Sequence, residues 1–259
     1  MAHVVAQESA AMGANQTRVE EGFTEDPYLS EELLVLSSGK PIIEPWIANS
    51  TSALVQQFYP SEEGGNALAD ILFRDYNPSG RLPVNFPYDI GFLPVCYNYL
   101  SSDCAIGDSG HINANGSIVF GHQYVIGTPQ PWYPFGHGKS YSTFEYSLVS
   151  LDKANATIND TVTASVKVTN TSPVDGTDVV QLYIVDSIAS IDVPSHKLKR
   201  FKKIRVKTGW TSNIKTPVSV QDIGLWNRKM KYVVEPAQFV VLIGRNCTDI
   251  IGNLTFYVS

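Results

Sequence analysis

Cysteine, charge and long apolar runs are all scarce in this chain of 259 residues, and each scarcity excludes something. The three cysteines, Cys96, Cys104 and Cys247, form no Cys-x-x-Cys pair, which argues against a thiolate metal site. Lys, Arg, Asp and Glu make up 17% of the residues, against about 25% in an average globular protein. The basic excess of a dedicated nucleic-acid binder is missing, since the net charge is −6 and the isoelectric point is near 5.3. No apolar run approaches the ~20 residues that span a bilayer. The five histidines are scattered, with no two at ligand spacing, so neither a metal nor another cofactor is expected.

What is present is a Tyr-rich globular chain. Hydrophobic residues reach 43% and there are thirteen Tyr, too many for a disordered chain. At about 150 residues per domain the length predicts one large or two ordinary domains. It also buries a sizeable core, so no disulfide framework is required. Polarity comes from Asn, Ser and Thr. Eight of the fifteen Asn open an Asn-x-Ser/Thr sequon: Asn15, Asn49, Asn115, Asn155, Asn159, Asn170, Asn246 and Asn253. Chance would give about a sixth of them. Two readings stand, surface glycosylation of a protein in the secretory pathway and accident in a Thr-rich β protein. The segment MAHVVAQESAAMGAN has no basic start and no apolar h-region, so it is not a signal peptide. Cys96 and Cys104 could pair in an oxidising compartment, leaving Cys247 odd.

The pattern along the chain changes twice. Residues 2–14 read as a short amphipathic helix, and residues 17–32 as an acidic loop running into a helix start. Leu33–Leu36 and Ala53–Tyr59 are short continuous apolar runs, the mark of parallel strands buried on both faces. A Gly-rich turn (60–65) and a helix over Asn66–Arg74 follow, with Leu68 and Leu72 expected to face the sheet. Residues 76–142 are rich in Pro, Gly, Asn and Tyr and offer little regular structure. From Phe144 the period is two. Val162, Ala164, Val166 and Val168 alternate with polar residues; Val180, Leu182 and Ile184 alternate with Gln181 and Tyr183; Phe239, Val241 and Ile243 repeat the pattern. The fold class is therefore α/β plus all-β, with a partial α/β sandwich followed by an antiparallel sandwich of immunoglobulin or fibronectin type III kind.

No short motif supplies a reaction by itself. Gly107-Asp108-Ser109-Gly110 looks like the nucleophile loop of trypsin-like proteases, but no partner segments accompany it. The basic run from His196 to Lys207 reads as a strand with Lys197, Lys199, Lys203, Arg205 and Lys207 on one face and Leu198, Ile204 and Val206 on the other. That is a Lys-blunted edge rather than a polyanion site. The pairs Glu20-Glu21, Glu31-Glu32 and Glu62-Glu63 are poor glycosidase carboxylates, because neighbours along a chain seldom point to one centre.

Longer segments carry a resemblance. Phe58–Phe73 (FYPSEEGGNALADILF) followed by Asn77–Pro83 (NPSGRLP) resembles the second domain of glycoside hydrolase family 3, the β-glucosidase/β-xylosidase family. Trp132–Phe144 (WYPFGHGKSYSTF) resembles that family's connector, and Asp178–Ile184 with Lys199–Lys203 its fibronectin type III-like module. The resemblance divides the chain into a barrel remnant (1–32), a partial C-terminal α/β domain with connector (33–142) and a fibronectin type III-like domain (143–259). Ala2–Asn15 is similar to a helix of the family's (β/α)₈ barrel. Arg18–Leu29 is similar to a later barrel loop, whose Arg contacts the sugar; Arg18 is the one site residue this implies, although Thr17 stands where the family has Gly.

The family's Ser-Asp-Trp-like segment with the nucleophilic Asp has no match, and no Asp-Trp dipeptide occurs anywhere. The Lys-His substrate pair and the segment that often carries the acid/base Glu are absent too. The resemblance thus implies a retaining β-glucosidase-type enzyme acting on β-linked glucoside or xyloside oligosaccharides, without cofactor, nucleic acid or membrane as partner. Its catalytic residues have no counterpart here. The alternative is a non-catalytic carbohydrate-binding or interaction remnant, or the product of a wrongly spliced gene.

Overall fold

A computed structural model describes residues 33–42, 53–88, 90–100, 111–112, 118–119 and 130–259. The expected helix over 2–14 and loop over 17–32 lie outside the described residues.

Strands β1 (Leu33–Leu36) and β2 (Ala53–Gln56) pair in parallel, Leu33 opposite Ala53 through Leu36 opposite Gln56. The second strand was expected to run to Tyr59. It stops three residues sooner because Phe58 takes a φ of 50°, which no strand residue adopts. Helix α1 (Gly64–Leu72) starts two residues earlier than its pattern suggested and ends before Arg74, whose φ of 70° breaks the helical turn. Leu36, Ile42 and Leu54 form a small core against which Leu34 and Tyr133 pack. The helix does not seat as expected. Leu68 and Ile71 are half-buried, but Leu72 and Phe73 are 36% and 79% exposed. Among the described residues the sheet has two strands, too narrow a face to cover a three-turn helix. A 3₁₀ turn at Ile90–Phe92 and a two-residue ladder, β3 (His111–Ile112) with β4 (Ile118–Val119), precede the second domain.

The second domain begins at β5 (Phe144–Leu151), followed by β6 (Asn155–Ala156), β7 (Thr161–Asn170), β8 (Gly176–Asp186), β9 (Lys197–Val206) and β10 (Thr211–Ser219). The short pair β11 (Leu225–Trp226) and β12 (Tyr232–Val233) leads to β13 (Gln238–Gly244) and β14 (Ile250–Val258). One sheet has the order β10-β7-β5 and the other β6-β14-β13-β8-β9. Their facing sides share one core, in which Val166, Val168, Leu182, Ile243 and the stacked rings of Phe239 and Phe256 are buried. The two-residue period produces this arrangement, since successive side chains of a strand point to opposite faces. Pro217 lies in β10, at the rim of its sheet, where a missing N–H costs no ladder bond. The turn between β9 and β10 carries Gly209 at a φ of 72°, as Lys207-Thr208-Gly209 suggested.

Strand β9 is an edge strand, and Ile204 and Val206 are buried as expected. Lys199 is an extra residue in it: Leu182 lies opposite Arg200 and Tyr183 opposite Leu198. That bulge turns Lys199 and Arg200 toward Asp222, which takes an ion pair from Arg200. Strand β8 departs furthest from its sequence pattern. Gln181 and Tyr183, on the outward phase, are 3% and 0% exposed. Something covers that face.

Candidate functional site

The cover is the connector. Phe86 and Tyr133 form a bridge between its two halves, and Leu82 and Phe86 exchange further backbone bonds with residues 132–137. The resulting layer lies on the outer side of β8. Gln181 donates through Nε2 to the carbonyls of Gly136 (3.1 Å) and Arg245 (2.6 Å), and its Oε1 accepts from the Tyr183 hydroxyl at 2.6 Å. Gly136 has a φ of 82°, and a Cβ there would come within 2.2 Å of Gln181 Oε1, so only glycine fits. Tyr97 stacks on Phe135 at 4.2 Å and meets His196 at 5.6 Å; Tyr183 meets the same imidazole at 5.3 Å. Burial between these rings holds the His196 pKa below its ordinary value.

Asn77 binds the two domains with all of its side-chain capacity. Its Nδ2 donates to Ser142 Oγ and to the Asp175 carbonyl, both at 2.9 Å, while Oδ1 accepts from Ser140 Oγ (2.8 Å) and the Tyr141 amide (2.9 Å). Arg81 forms an ion pair with Asp178 at the start of β8. The other Asp178 oxygen accepts from the Tyr146 hydroxyl at 2.9 Å, and the Val179 amide donates to the first at 2.8 Å. Burial, and then the neighbouring carboxylate, push the Tyr146 pKa far upward, so the phenol stays a donor. Asn85 completes the joint, accepting from the Phe135 amide and donating to the Val95 carbonyl.

The residues of Asn77–Arg81, Gly136–Ser142 and Asp178–Tyr183 therefore meet in one place, and what they build is a latch between two domains. None of them stands as a nucleophile beside a base. Sequence reasoning did not find this joint. A signal was present all the same: Asp178 and Gln181 are polar residues in a stretch, 178–185, that is otherwise Val, Leu, Tyr and Ile. Such groups are retained in a core only when paired.

Beside the latch lies a cavity of about 370 Å³ between β2, the end of α1 and the connector. Leu54, Phe58, Leu82, Phe86 and Tyr133 form its apolar wall, and Gln56, Arg81, His137, Lys139 and Lys203 supply its polar groups. His137 stacks on Tyr133 with ring centroids 5.2 Å apart.

Of the residues singled out from the sequence, Arg18, Asn15, Asn49, Asn115 and Cys104 lie outside the described residues. Glu62 and Glu63 are exposed in the turn that enters α1. Cys96 is exposed and has no disulfide partner among the described residues; Cys247 is buried, its pKa pushed up to about 11 by that burial. Asn155, Asn159 and Asn253 are exposed. Two further sequons are buried. Asn170 is 0% exposed, with Nδ2 donating to the carbonyls of Val174 and Val206. Asn246 is buried, and its Oδ1 accepts from the Thr248 amide and hydroxyl and the Asp249 amide. A glycan on either would have to break the turn it holds. No group of three His, Cys, Asp or Glu able to hold a metal occurs among the described residues. No helix among them is long and apolar enough to cross a membrane.

Comparison with known proteins agrees with this architecture. The glycosyl hydrolase family 3 C-terminal domain matches residues 29–141, and the fibronectin type III-like domain matches residues 178–247. A periplasmic β-glucosidase of Salmonella typhimurium is 38% identical over 212 residues, 82% of this chain and 27% of that protein. Thermostable β-glucosidase B of Acetivibrio thermocellus is 32% identical over 239 residues, 92% of this chain and 30% of that protein. Among solved structures, the β-glucosidase of Listeria innocua in complex with isofagomine superposes with a TM-score of 0.77 at 30% identity, covering 86% of this chain and 30% of that one. A partial parallel α/β domain latched to a fibronectin type III-like sandwich is thus the C-terminal architecture of a glycosidase class. The chain belongs to glycoside hydrolase family 3 as a partial member, spanning less than a third of the length of these relatives.

Proposed function

We propose that this chain belongs to a β-glucosidase-type enzyme, hydrolysing β-linked glucosides or xylosides with retention, and that residues 33–259 serve it as scaffold. The observation that carries the reading is the latch. Asn77, Arg81, Asp178 and Gln181 lie in the motifs that relate the chain to the family, and each takes part in joining one domain to the other. Positioned in that way they orient an active site without belonging to it.

By itself the 259-residue polypeptide is inactive. Double displacement needs a carboxylate at the anomeric carbon and a proton donor at the leaving oxygen. No acidic residue here stands where the family resemblance would place either. Arg18 alone contributes at most one exposed hydrogen bond, worth about 0.5–1.5 kcal/mol, against the ~8 kcal/mol of even modest enzymes. The exposed sequons, together with a periplasmic β-glucosidase among the relatives, support an extracellular or secretory-pathway glycoprotein.

The test is release of 4-nitrophenol from its β-glucoside and β-xyloside by the purified chain. The expected rate equals that of buffer. Turnover that disappears in Arg18→Ala or Glu21→Gln would show a working site and overturn the reading.

A further inference from the structure

We infer that the cavity between β2, α1 and the connector binds a small hydroxyaryl carboxylate, a ligand the hydrolytic reaction does not require. Four observations meet there. Its volume of about 370 Å³ falls within the range of small-molecule sites, and it lies at a domain junction, where such sites concentrate. Its wall is aromatic and aliphatic, and it includes Phe86 and Tyr133, whose rings meet in a T-shape with centroids 6.2 Å apart.

Its charge is one-sided. Arg81, Lys139 and Lys203 line it, and no carboxylate does among the described residues. Asp178 takes up the charge of Arg81, and the two lysines remain, in a chain whose net charge is −6. A cleft lined by one sign of charge concentrates ions of the other. Two buried polar atoms on lining residues also lack a partner among the described residues: Arg81 Nε, a donor, and Gln56 Oε1, an acceptor. Both side chains are already fixed. Arg81 is held through its other nitrogens by Asp178 and the Gly80 carbonyl, and Gln56 by donating Nε2 to the Ser38 carbonyl at 3.0 Å. A buried donor and acceptor left open are costly in a protein, and a ligand offering both an acceptor and a hydroxyl removes the cost. An aromatic ring with a carboxylate at one end and a hydroxyl at the other meets all four conditions. A sugar would leave the lysines unanswered, and an aliphatic acid the rings.

Isothermal titration of the whole chain with 4-hydroxybenzoate tests this. One saturable site is expected, weakening as salt is raised. The neutral 4-hydroxybenzamide should bind at least about tenfold more weakly. Benzoate, which lacks the hydroxyl, should also bind more weakly, and Gln56→Leu should abolish the difference between it and 4-hydroxybenzoate. Lys139 and Lys203 are exposed, so Lys139→Glu with Lys203→Glu should keep the melting temperature and lose the binding. Absence of saturable heat overturns the proposal. So does an amide that binds as well as the acid, or an affinity that survives the double charge reversal in a protein that still melts cooperatively. None of these readouts depends on glycoside turnover, so its failure is distinct from that of the assignment above.

Discussion

Asp178 is a buried carboxylate in a β-strand, a position that is costly unless every oxygen is answered. Arg81, the Tyr146 hydroxyl and the Val179 amide answer them. Substituting one member therefore does more harm than the pair itself contributes. Asp178→Ala leaves a guanidinium without its counter-charge and a phenol without an acceptor, and should destabilise the protein by about 3–5 kcal/mol, read by urea titration. Replacing Arg81 and Asp178 together by apolar residues of similar volume should recover most of that loss. The asparagines divide by the same accounting. If the chain is expressed in a eukaryotic secretory pathway, peptide mapping should find glycans at Asn155, Asn159 or Asn253 and none at Asn170 or Asn246. The last two spend their amide groups on turns; the first three face solvent.

At the scale of elements, the segment before β9 carries a pH-sensitive contact. His196 is wedged between Tyr97 of the connector and Tyr183 of β8, and its Nε2 has no hydrogen-bond partner among the described residues. Burial depresses its folded-state pKa below the unfolded value of about 6.5. The neutral ring thus contributes stability that is fully present above that value and is lost as pH falls below it. The melting temperature of the wild type should drop more between pH 7.5 and 5.5 than that of His196→Phe, measured by scanning calorimetry. This contact also marks where the sequence stops being informative. Val162, Ala164, Val166 and Val168 declare their buried face by alternation alone, because the neighbours that bury them follow from a two-layer sandwich. The parallel pairing of β1 with β2 was legible for a similar reason. Gln181 and Tyr183 alternate just as regularly, yet both are buried, since a segment some fifty residues upstream in sequence lies over them. Leu72 fails in the opposite sense: it has the right spacing for a helix face, and the two strands among the described residues leave it 36% exposed. Periodicity reports which residues share a face, and the covering of that face is decided elsewhere in the chain. The latch had one local sign, the polar residues of β8.

For the molecule as a whole, the two domains differ in self-sufficiency. Residues 143–259 hold a continuous core between two sheets, whereas the described α/β part holds a core of three buried residues. A fragment of residues 143–259 should fold, and one of residues 76–259 should melt at least about 4 °C higher, because it restores the cover over Tyr183 and the partner of Asp178. A fragment 143–259 that melts with the longer one would show that the latch contributes nothing. The latch has a consequence for time as well as for strength. Its ion pair joins residues 97 positions apart, and the Asn77 bond to Ser142 spans 65. Closing loops of that length is slow compared with pairing β8 to β9 or β13 to β14, whose partners come from consecutive stretches of chain. The sandwich should therefore condense first, presenting Asp178 as an open acceptor and the Gln181 Nε2 as an open donor. The connector arrives late, and on unfolding it is the first to leave.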